Sequence, residues 1–181
     1  MASRQKNQVY IRQLTLTALM AALSIVLTRV VSILIIGGSN RIGLGLVPIH
    51  LTGFLLGPFW GALCGLISDL IGVLINPMGT VFWGITVTTV LQGVIPGIVI
   101  RLWKGKDSRG VAIALVISFV FLSLLMQSYW LSILMGRPFT EMVAVRALPQ
   151  LGFTIAYIVL EVPLYALLKR SFIVSEERTL H

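Results

Sequence analysis

The segment LGPFWGALCGLISDLIGVLINPMG, Leu56–Gly79, decides the fold class. Its Gly57–Pro58 pair breaks the chain, because proline is tolerated in the first turn of a helix and not in its interior. From Phe59 to Ile75 the only charge is Asp69. That run approaches the ~20 apolar residues that a bilayer-spanning helix requires. Asn76–Thr80, NPMGT, then reads as a turn. Asp69 lies eleven positions beyond Pro58, which at helical rise is roughly 16 Å, near the middle of a bilayer. A carboxylate at that depth is costly and marks a functional site by default.

The remainder of the chain has the same character. Of 181 residues, 57% are hydrophobic and 11% charged, with a mean hydropathy of +0.97. Soluble domains carry about 25% charged residues, so this chain lacks the polar surface to cover itself and reads as an integral membrane protein. Its length allows one domain, residues 1–181. The single cysteine, Cys64, excludes an internal disulfide. The net charge of +8 does not imply nucleic-acid binding, because the bases cluster at the ends of apolar segments. The basic N-terminus leads into an apolar run reaching Ile36, too long for a signal peptide.

Six helices are expected: Val9–Ile36, a short Leu46–Leu56, Phe59–Ile75, Phe82–Trp103, Val111–Met135, and one from Pro138–Met142 to Leu168. The fold class is therefore all-α, with both termini on one side. That side holds Arg4, Lys6, Arg12, Arg101, Lys104, Lys106, Arg109, Lys169, Arg170 and Arg178, ten of the 14 bases. The other holds Arg29, Arg41, Arg137 and Arg146. The excess of bases places the termini in the cytoplasm.

The four outer arginines run against that bias. Arginine's planar fork suits carboxylates, so an outward-facing anion site is one reading. Interfacial anchoring, or pairing of one arginine with Glu141, is the other. Asp69 either pairs with Arg29 or binds a ligand bearing an amino group beside a ring N–H. Phe82, Trp83, Tyr129 and Trp130 sit near outer helix ends, as an aromatic belt or as a stacking wall for a flat ring. Asn76, Gln92 and Gln127 are polar groups nearby or deeper. Gly57, Gly61 and Gly65, with Gly93 and Gly97, form small-residue faces for close helix packing. Glu161 is expected to pair with a cytoplasmic-side base such as Arg12. His50 has no His or Cys partner at metal-ligand spacing, so no metal site is expected. No serine is accompanied by a base, which leaves an intramembrane hydrolase unsupported. No nucleotide-binding motif is present, so active transport would draw ATP hydrolysis from another subunit.

Taken together, Ala18-x-x-x-Ala22, the Leu56–Gly79 segment and SYWLSILMGRPFTEMVAVR, Ser128–Arg146, resemble the substrate-binding S components of energy-coupling factor (ECF) transporters. The last segment is similar to that of the folate-specific branch: aromatic-Leu-Ser-x-Leu-x-Gly-basic-Pro-Phe, followed by arginine. Gln127–Ser128 departs from the asparagine of that pattern, and NPMGTVFWG departs from Pro-x-Gly-x-Tyr-Phe. The resemblance implies a non-enzymatic, multi-pass subunit of a prokaryotic cytoplasmic membrane that binds folate without a cofactor. Its partners would be a transmembrane coupling subunit, met by Ala18 and Ala22, and two ABC-type ATPases. The implied folate site places Asp69 on the pterin and Arg29, Arg41, Arg137 and Arg146 toward the glutamate. Asn76, Phe82, Trp83, Gln92, Gln127, Tyr129 and Trp130 would line the remainder. Pantothenate, riboflavin or thiamine would be the alternative ligands within the family.

Overall fold

The computed structural model describes residues 2–29, 33–35, 40–42, 44–75, 82–103 and 108–179, with side chains described for 7–29, 44–75, 82–103 and 108–170. Helix α1 is Ala2–Arg29. Strands β1 (Ile33–Ile35) and β2 (Asn40–Ile42) pair antiparallel, with Ile33 opposite Ile42 and Leu34 opposite Arg41. Then follow α2 (Leu46–Leu56), α3 (Pro58–Ile75), α4 (Trp83–Leu102), α5 (Ser108–Met135) and α6 (Phe139–Thr179). Nine residues of α5, Ser118–Met126, are π-helical. Five of the described helices are long and apolar enough to cross a membrane, and α2 is the short exception. The chain is an all-α integral membrane protein apart from the small hairpin.

The hairpin corrects the expected first helix, which ends at Arg29 rather than Ile36. Beyond Arg29 the sequence is VVSILII, dominated by β-branched residues that lose side-chain freedom in a helix and fit a strand. Hydropathy alone does not separate these two outcomes. At the other end, α6 continues past Leu168 to Thr179.

Helix α2 is the centre of the packing and contacts α1, α3, α4 and α6. With 11 residues, it is only about 16 Å long. It enters against α1, where the Ser24 hydroxyl donates to the Gly45 carbonyl at 2.7 Å. It ends at Gly57, whose φ of +105° only glycine adopts without strain. The Arg101 guanidinium lies directly over Gly57, placing this break at the C-terminal end of α4.

The α2–α3–α4 contact is made by backbone on backbone. A Cβ on Gly53 or Gly61 would collide with the Gly93 carbonyl oxygen, and one on Gly97 would come within 2.7 Å of Pro58 N. The small-residue spacing in the sequence therefore serves internal packing. Toward the Gly57 end, a core of Val47, Leu51, Phe54, Ile100, Leu115, Phe119, Tyr157 and Tyr165 joins α2, α4, α5 and α6.

Candidate functional site

Above the short α2, towards the ends marked by Arg29, Ile75 and Trp83, the helix faces turn polar and aromatic. Asp69 on α3 is half-buried and accepts a 2.6 Å hydrogen bond from the Thr86 hydroxyl on α4. Three residues outward, Gly72 leaves room for Arg29: a Cβ there would stand 2.9 Å from Arg29 Nε. The α1 terminus thus brings a cation onto the same turn of α3 as the Asp69 carboxylate.

The aromatic group forms on the same stretch of α4. Gly84 is overlaid by the Trp130 indole, and a Cβ at this position would also meet Phe82 Cε1 at 2.7 Å. Phe82 and Trp130 centroids lie 5.6 Å apart at 56°, and Tyr129 and Trp130 5.1 Å apart at 63°. Phe82 and Thr86 are separated by about one helical turn, so α4 joins the aromatic wall to the Asp69–Thr86 pair. Deeper, Gln92 Nε2 donates to Ser123 Oγ at 2.9 Å, tying α4 to the π-helical part of α5.

Helix α6 separates the two arginines of the Ser128–Arg146 segment. Arg146 is 4% exposed and lies on the buried stripe shared by Met142 and Gln150, so it points into the bundle. Arg137, just after the left-handed Gly136 that ends α5, is 59% exposed and pairs with Glu141 at 3.4 Å. Trp83 is also turned outward, at 72% exposure, and Tyr129 is half exposed. Gln127 is half-buried. The Arg41 side chain and Asn76 lie outside the described residues, although the backbone of β2, which carries Arg41, touches α6. Ala18 and Ala22 occupy the exposed face of α1, opposite its buried Thr17, Ala21 and Ser24.

Of two further polar residues of this region, the sequence marks Ser128 only as part of the Gln127–Ser128 departure from the folate-branch pattern and does not mark Thr86. Thr86 is one of several threonines in TVTT, and nothing local distinguishes the one that meets Asp69. Ser128 is fully buried, and its Oγ has no hydrogen-bond partner among the described residues; the same holds for Trp130 Nε1.

Glu161 requires a correction. Its partner is not a cytoplasmic-side base but His50 on α2, with Nδ1 and Oε1 2.9 Å apart and both side chains almost wholly buried. Phe119 and Tyr157 close around the imidazole. A buried carboxylate needs a partner within the bundle, and the inward stripe of α6 faces α2. Among the described residues no cluster of three or more His, Cys, Asp or Glu stands ready for a metal ion.

Residues 8–170 match the family model described as ECF-type riboflavin transporter, S component. The chain belongs to this S-component family. A curated relative, the folate transporter FolT of Clostridium novyi (strain NT), is 36% identical over 120 residues, covering 66% of this chain and 68% of the relative. Among solved structures, the crystal structure of FolT bound with folic acid has a TM-score of 0.67 at 23% identity, covering 82% of this chain and 88% of that one. At that identity the likeness concerns the fold. The S component is thus a multi-pass membrane transport subunit rather than an enzyme.

Proposed function

We propose that this S component binds folate at the outer half of its helix bundle and delivers it inward when joined to an energising module. That module would comprise a transmembrane coupling subunit, met by the Ala18–Ala22 face, and two ABC-type ATPases. The 181 residues form a single membrane domain of a prokaryotic cytoplasmic membrane, with both termini inside. The protein needs no cofactor of its own.

The observation that carries this reading is the burial of Arg146 on the inward face of α6. A guanidinium on the inward face of the bundle suits a carboxylate ligand, because its planar fork can engage both carboxylate oxygens. Folate brings two carboxylates on its glutamate, together with a flat pterin whose amino group and ring N–H match a carboxylate acceptor such as Asp69. Riboflavin, for which the family model is described, has no carboxylate. Thiamine is itself a cation, and pantothenate lacks the flat ring that Phe82 and Trp130 suit. The name and 36% identity of the Clostridium novyi relative support the same choice.

Equilibrium binding of radiolabelled folate and riboflavin to the purified, detergent-solubilised protein tests it. Saturable folate binding that excess riboflavin does not displace is expected. Riboflavin binding by folded protein that ignores folate would overturn the reading.

A further inference from the structure

Hydroxyls in the helices of this chain bond either their own backbone one turn back or a neighbouring helix, as Ser24 and Thr86 do, and Ser128 does neither among the described residues. Thr17, Thr52, Thr88, Ser118 and Thr154 each donate to the carbonyl four residues earlier, at 2.7–2.9 Å. This is how a buried hydroxyl in a membrane helix ordinarily satisfies itself. Ser128 is 0% exposed, yet its Oγ has no partner among the described residues. Two residues on, the buried indole N–H of Trp130 has none either. A buried polar group left without a partner loses its hydration with nothing in return, so two such groups on one turn of one helix require an explanation.

The register between α4 and α5 places Ser128. The two helices run antiparallel, and Gln92 meets Ser123 while Gly84 meets Trp130. Between those contacts, Ser128 falls level with the turn of α4 that carries Thr86, the donor to Asp69. The unsatisfied hydroxyl therefore sits at the depth of the half-buried Asp69 carboxylate, and the indole N–H sits one step outward within the aromatic wall.

We infer that Ser128 is a ligand-reading group, whose hydroxyl bonds the polar edge of a heteroaromatic ring held between Asp69 and the Phe82–Trp130 wall. The inference rests on the folate reading, in which that ring is the pterin. The Ser128 hydroxyl donates to a ring oxygen or nitrogen beside the edge bound by Asp69. Because a hydroxyl both donates and accepts, it adds affinity for the ring and contributes nothing to the distant glutamate.

Ser128→Ala and the near-isosteric Ser128→Cys test this by binding titration with folate and with pteroate, which lacks the glutamate, and by thermal melting with and without ligand. Both variants are expected to bind folate and pteroate about tenfold more weakly, by the same factor. Ligand-free melting temperatures should hold or rise, because an unsatisfied hydroxyl has been removed, while the stabilisation by folate shrinks. Affinities within twofold of wild type in both variants overturn the inference and leave the folate reading standing. Lower ligand-free melting temperatures with unchanged affinity overturn it as well, assigning Ser128 to internal packing. Folded wild-type protein that binds no folate sinks both proposals together.

Discussion

Arg146→Ala is the sharpest test of how charge is used in this bundle. The side chain is 4% exposed and lies seven positions into α6 from Phe139, roughly 10 Å down the helix. At that depth water competes weakly, and a hydrogen bond between charged groups contributes about 1.5–3 kcal/mol. Loss of the guanidinium should therefore weaken folate by about 10- to 150-fold, at 1.4 kcal/mol per decade. Pteroate retains the pterin and aminobenzoate and lacks the glutamate, so its affinity should change by less than about threefold. Arg146→Lys keeps the charge but loses the fork that engages both carboxylate oxygens, and should fall between. Quenching of tryptophan fluorescence in titrations of the purified protein reads all three, since Trp130 lies in the candidate wall. Equal losses for folate and pteroate would refute the carboxylate assignment and make Arg146 a structural cation. Arg137→Ala is the internal control: its exposed pair with Glu141 is worth at most about 1 kcal/mol, so folate binding should be little changed.

Asp69→Asn retains size and loses the charge that pairs with two donors. Folate and pteroate should both weaken, by at least about tenfold, and unchanged pteroate binding in titrations would move the ring elsewhere. Glu161→Ala strands His50 in the core, a change that costs about 3–5 kcal/mol for a buried pair. A markedly lower melting temperature is expected, with a smaller drop in Glu161→Gln, and equal melting of both variants would show that the pair does not hold α2 to α6. Ala18→Trp adds bulk to the exposed face of α1. Uptake of labelled folate by cells should fall sharply while binding by the purified protein is unchanged, and a parallel loss of binding would mean that the coupling and ligand faces are not separate.

Several features were legible before any coordinates. The Gly57–Pro58 break, the long apolar runs and the shortness of α2 follow from local chemistry, and α2, α3 and α4 begin and end close to the expected positions, whereas α1 begins earlier, at Ala2, and α6 ends later, at Thr179. The departure in element type, the hairpin after Arg29, lies where apolar content and β-branching give opposite signals. The candidate site was legible in depth but not in direction. Asp69, Trp130 and Arg146 stood at defined heights along their helices, because each residue adds a fixed rise. Which side of each helix faced a neighbour was hidden, and so were the bond from Thr86 to Asp69 and the burial of Ser128, which the sequence marks only as a departure from the folate-branch pattern.

The sequence by itself determined a membrane protein with a central acid, outer arginines and a small-residue seam, because hydrophobicity, helix length and turn chemistry are properties of short segments. Only the tertiary structure decided that Arg146 turns inward while Arg137 turns out to Glu141, that Glu161 meets His50, and that Asp69 shares a helix turn with the Gly72 position on which Arg29 rests. Those outcomes depend on the rotation of each helix about its axis. For α2, α3 and α4 that rotation is set where backbone meets backbone, at Gly53, Gly61 and Gly93, and for α6 by its buried contacts with α2, His50–Glu161 among them, between segments that are separate in the chain.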